Sequence, residues 1–212
     1  GMLMFAIFAG TIESKKKAQQ QNFLLALKPD SDHFHDSLSY IADDLRTKIT
    51  IDNKNDRLFI WLPEDPNVKT INDVKLGMTY KVHTYSHTDI LAIQQIEDDV
   101  CLTKRARKSS SAKFWLTETP AFTDVSTTQP ASKSEVNTIS LVILVRDKAY
   151  PIHRIHFYTN PSKNLQKNTD EYKQIQTDLQ QWLTAFDFMM KEADQKEGVT
   201  TYAAENLPFD KL

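Results

Sequence analysis

The sequence predicts an α+β fold, a mostly antiparallel sheet of successive hairpins covered by two N-terminal helices and one long C-terminal helix. Three observations lead there. Apolar residues alternate with period two across the middle of the chain, in short runs separated by polar turns. The spacings between runs are too short for the crossovers that parallel strands need. The last third carries a long stretch of helical period, with Tyr172, Ile175, Leu179, Trp182, Phe186 and Met189 on one face.

Taken in order, residues 3–12 read as a buried strand ending near Gly10, and 14–27 as a helix stopped by Pro29. Residues 31–45 predict a second helix. Ser31 can cap it, and Phe34, Leu38, Ile41 and Leu45 form a stripe. Ile49, Ile51 and the run 58–62 flank the polar segment 53–56 as a hairpin, closed by Pro63. Residues 78–87 and 90–96 read as a strand pair turned at His87, Thr88 and Asp89. Residues 100–104 and 112–117 read as a third pair, joined by a basic loop. Residues 139–146 form the most apolar strand, and 150–158 return beside it. The final helix starts near Asn168, with Glu171 completing a capping box, and Gly198 marks its end.

Length sets the domain reading. At 212 residues the chain suits a single α+β domain over 1–212. Residues 117–138, with nine Ser/Thr and two Pro, read as a long surface loop. The alternative is two small domains, 1–116 and 139–212.

Four glycines, widely separated, exclude the phosphate loop, the dinucleotide fingerprint and the nucleophile elbow. Gly1 ahead of Met2 reads as a cloning remnant. A single cysteine, Cys101, gives no disulfide framework or thiolate cluster and suits a reducing, cytoplasmic setting. It reads as a small buried hydrophobe rather than a nucleophile. The apolar run after Met2 is followed, not preceded, by Lys15, Lys16 and Lys17, which reverses the order of an export signal. It is also shorter than the roughly 20 residues needed to cross a bilayer. No membrane partner is expected on these grounds. The segment 52–56 resembles a calcium loop only at a glance: Lys54, Arg57 and Pro63 stand where ligands or a glycine are needed.

Two clusters hold candidate chemistry. The six histidines fall in pairs: His33 and His35, His83 and His87, His153 and His156. His83 and His87, with Asp89 beyond them, are the candidate metal ligands, because neutral imidazole is the commonest protein ligand. Three segments would have to converge to complete a hydrolytic site. Lys104, Arg105, Arg107 and Lys108, followed by Trp115, are candidate contacts for an anion or a nucleic acid. That reading needs the cations on one open face with an exposed Trp115, and the net charge of −2 works against it. No catalytic residue and no cofactor is assigned. The sequence therefore favours a non-catalytic binding module with a protein partner or self-association. A histidine-bound metal hydrolase and a nucleic-acid binder at 104–113 are the alternatives.

Overall fold

The computed structural model describes residues 2–127, 133–160 and 162–199, with the backbone alone for 2–13. The chain is α+β, with antiparallel sheets. It forms two compact units: residues 1–86 with 155–159, and residues 87–154 with 160–212.

The first unit opens with helix α1 (Met2–Ala26). The strand expected at 3–12 is therefore helix. Gly10 alone does not break a helix, and no turn residue separates the two segments. Strands β1 (Leu38–Ile41), β2 (Lys48–Asp52), β3 (Arg57–Pro63) and β4 (Tyr80–Ser86) follow and pair in that order. The expected second N-terminal helix is absent among the described residues, and its centre is β1. Its Ser, Asp and His residues satisfy local polar groups better than they support a helix interior. Ser39 Oγ donates to Asp36, and the His35 N–H donates to Asp52 at 3.0 Å. The β2–β3 hairpin forms as predicted, with Ile49 opposite Ile60 and Ile51 opposite Leu58.

The C-terminal part of α1 is fastened to this sheet. Leu24 is fully buried. The Lys48 ammonium donates to the Leu25 and Leu27 carbonyls at 3.1 and 2.6 Å and sits 4.9 Å from the centre of the Trp61 ring. A cation thus closes the negative end of the helix. Burial pulls the Lys48 pKa down, with only partial relief from Asp36. Tyr80 accepts from Gln20 and donates to the Leu45 carbonyl, both within 2.9 Å. Burial pushes the Tyr80 pKa up to about 12 from 10. A raised folded-state pKa gives stability that is whole below pH 10 and lost as pH rises to about 12. After allowance for partial exposure, about 1–2 kcal/mol should disappear across that window. Denaturant melts at several pH values check it, and Tyr80→Phe should remove this part of the slope.

The second unit holds β5 (Ile90–Glu97), β6 (Val100–Ala106), α2 (Ser110–Glu118), α3 (Pro120–Thr123), β7 (Glu135–Val136), β8 (Thr138–Val145), β9 (Ile152–Thr159), β10 (Leu165–Gln166) and α4 (Asp170–Lys196). Strand β9 begins in this unit and ends in the first. The larger sheet runs β6-β5-β8-β9, and β7 pairs with β10 separately. Strand β5 pairs with β6 and β8, not with β4. All eight residues of β5 are buried, so it requires a central position, while β4 is half exposed and takes the free edge of β3.

Registry assigns the two faces of the larger sheet. Ala92, Gln94, Ala106, Val142 and Leu144 share one face. Ala112, Trp115, Leu116 and Phe122 of α2 and α3 pack there. Gln95, Glu97 and Arg105 point the other way, to α4. Covering both faces explains why β5 and β8 read as nearly continuous apolar runs.

The expected strand at 112–117 is helix α2. Ser109 accepts from the Ala112 N–H at 3.2 Å and caps it. The expected loop 117–138 includes the end of α2, all of α3 and β7, and its residues 128–132 lie outside the described residues. Helix α4 is capped by Thr169, one residue after the expected Asn168, whose side chain accepts from Tyr172 N–H. Its end is a Schellman turn: Gly198 N–H donates to Gln195, Val199 N–H to Asp194, and Gly198 has φ +73°.

Candidate functional site

The basic stretch does not fold into one face. Lys104 lies on the α2–α3 side of the sheet, its ammonium 5.6 Å from the Phe122 ring centre. Arg105 lies on the opposite side, 3.8 Å from Asp187 of α4. Alternation along β6 separates the two neighbours. Trp115 is half-buried against the core formed by Leu91, Ala112 and Phe122. Phe114, beside it, is 62% exposed and points outward from α2 with Lys113.

Arg107 is the centre of a buried charge network. Its Nε donates to Asp194 at 2.8 Å, its Nη2 lies 2.6 Å from Glu197, and its Nη1 donates to the Thr88 carbonyl. The Asp194 carboxylate also accepts from the Lys108 N–H at 2.8 Å. Burial opposes the guanidinium charge, but bonds to Glu197 and Asp194 outweigh it and raise the Arg107 pKa. Arg146 approaches Glu197 at 3.6 Å. These contacts tie the exit of β6 to the last turn of α4.

A second network ties the start of α4 to β5. Glu97 is buried and accepts from Lys167 Nζ at 2.6 Å, Tyr172 Oη at 2.8 Å and Gln176 Nε2 at 2.8 Å. Gln176 in turn accepts from Gln95. Burial first, then the bond to Glu97, pushes the Tyr172 pKa up. Neither network is legible in spacing, since Arg107 and Asp194 are 87 residues apart. The sequence signal for both was limited to charged residues on an otherwise apolar strand or helix.

The histidines are placed as follows. His87 and Asp89 lie on the single 3-10 turn between β4 and β5, with His87 buried. His83 belongs to the first unit, on β4 opposite Ile60. His35 Nδ1 lies 3.1 Å from Ser37 Oγ, near the β2–β3 turn. His156 lies 3.9 Å from Asp44, beyond the opposite end of β1. His33 offers its carbonyl to Asn55, and His153 is buried on β9. Within the first unit, His35 thus lies ahead of β1, His83 on β4 and His156 on β9.

Two smaller expectations concern Asp52 and Cys101. Asp52 is a turn residue: burial would raise its pKa, but the Asn55 side chain and the His35, Asn55 and Lys54 N–H groups outweigh that and lower it. Cys101 is buried, and burial pushes its thiol pKa up.

Residues 37–159 match the family described as glycine zipper containing PH domain. No curated protein and no solved structure matches the chain. The match takes in β1 to β9 and therefore draws on both units. Its one glycine is Gly77, and the four glycines of the whole chain include no pair at the four-residue spacing of a zipper. Among the described residues, no helix is long and apolar enough to cross a membrane. More than half of the sequence lies within the match, and the chain belongs to the glycine zipper containing PH domain family.

Proposed function

We propose that the chain is a non-catalytic interaction module that works as one domain and receives a protein partner on the outer side of α2. PH-like domains mediate protein or lipid interactions, and the match across both units supports a single working domain. The observation that carries the proposal is the contrast between the two sides of α2. Its inner side is locked by Ala112, Trp115 and Leu116 against the sheet, while Phe114 projects from the same short helix at 62% exposure. A rigid helix with one outward aromatic is the arrangement of a binding anchor. The buried charges support the same reading. Lys48, Asp52, Glu97 and Arg107 each hold the frame together.

Phe114→Ser should weaken partner capture from cell extract by about tenfold or more and leave the thermal midpoint unchanged. Undiminished capture by that variant would contradict the proposal.

A further inference from the structure

Strand β6 is an outer strand of its sheet, with β5 on one side. Its other side is used at the start, where the Cys101 N–H donates to the Ser126 carbonyl at 2.8 Å. Further along, register decides which backbone groups face outward. The Arg107 N–H donates to the Leu91 carbonyl, and two residues back on β6 Arg105 stands opposite Ile93. Hydrogen-bonded pairs alternate along an antiparallel ladder, so Arg105 bonds to β5 while Lys104 and Ala106 turn their N–H and C=O groups away from it. Among the described residues, these outward groups meet no other backbone. Lys104 is exposed and makes no ion pair among the described residues; its ammonium lies 5.6 Å from the Phe122 ring centre. On the other face Arg105 and Lys191 share Asp187, at 3.8 and 2.8 Å, so two cations stand against one carboxylate. The acids near the start of β6 are engaged or remote. Glu97 holds Lys167, and Asp98 accepts from the Asn137 and Thr138 N–H groups and lies 3.8 Å from Lys133. Asp99 is five residues from Lys104 along extended chain, about 16 Å and beyond the screening length of physiological salt.

We propose that this edge of β6 receives an extended, acidic segment of a partner protein as an added strand. The outward groups of Lys104 and Ala106 are donors and acceptors at strand spacing, the pattern that another extended backbone completes. Lys104 selects the sequence: the side chain beside it on the added strand should be Glu or Asp. Side chains on the opposite face meet Arg105, which Asp187 already serves, and need no charge. The same cations argue against a second copy of this chain. A second β6 laid beside the first would bring Lys104 and Arg105 of both copies together, and lysine on an outer strand is a common guard against such pairing. The β6 edge and Phe114 are separate features, and either can stand without the other.

The test is amide hydrogen exchange of the full chain, read by NMR, with a capped peptide of alternating valine and glutamate as the probe. In the free chain the Lys104 and Ala106 N–H groups should exchange about tenfold or more faster than that of Arg105, which β5 protects. Saturating peptide should slow both by about tenfold or more, and a peptide with lysine in place of glutamate should leave them unchanged. Lys104→Gln should weaken peptide binding about threefold through charge alone. Lys104→Pro should weaken it by about tenfold or more, because proline also removes the outward N–H and is tolerated on an outer strand. Circular dichroism checks that each variant keeps its fold. A glutamate peptide that leaves both amides unchanged overturns the proposal. So does peptide binding that ignores Lys104→Pro, or a dimer formed without peptide that protects the same two amides.

Discussion

Asp194→Ala is expected to lower the free energy of unfolding by about 3–5 kcal/mol. The side chains of Asp194 and Arg107 are both fully buried, and the carboxylate accepts from Arg107 Nε and Lys108 N–H. Removal leaves the buried guanidinium without its one fully buried counter-charge. Glu197 compensates only in part, because it approaches from the partly exposed side. For a chain of this size, the loss corresponds to a fall of roughly 6–20 °C in the thermal midpoint. Arg107→Met combined with Asp194→Leu should recover most of it, since an apolar pair of similar volume avoids the desolvation penalty. Calorimetry on the two variants checks the sign and the rescue. A single variant as stable as the wild type would show that the network does not hold α4.

The second large effect tests the covering of both faces of the sheet in the second unit. Phe122 of α3 and Phe186 of α4 are each fully buried, Phe122 on the side of Lys104 and Phe186 on α4, the helix that covers the opposite side. Phe122→Ala and Phe186→Ala should each cost about 3–5 kcal/mol. The sheet separates them, so the double variant should cost their sum to within about 0.5 kcal/mol. Urea melts of the three variants measure this. Strong non-additivity would mean that the two rings share one cavity, which the registry does not allow.

Strong periodicity made part of this fold legible. The α4 face from Leu179 to Met189, the 53–56 turn and the β8 run were plain because burial on one side or both leaves a repeating mark. The misread segments share a physical cause. At 31–45, Phe34, Leu38, Ile41 and Leu45 offer a helical stripe, but the local bonds of Ser, Asp and His and pairing with β2 are worth more. At 112–117, Phe114 and Trp115 suggested a strand, while the Ser109 cap, the decisive residue, was passed over. The β4–β5 connection looked like a hairpin because a three-residue 3-10 turn has the length of one. Of the candidate site, the four cations stand together in the sequence. Strand alternation then placed Lys104 and Arg105 on opposite faces, and α4, distant in sequence, took Arg107. Contacts of that range leave no local signature.

The proposed protein-binding role of α2 is tested most directly by placing a photo-reactive benzophenone side chain at position 114 and illuminating the full chain in cell extract. Thr177, exposed on the outer side of α4, serves as the control position. A discrete protein adduct is expected from position 114, competed away by unlabelled wild-type chain, and none from position 177. No adduct at 114, or the same adducts at both positions, would contradict it.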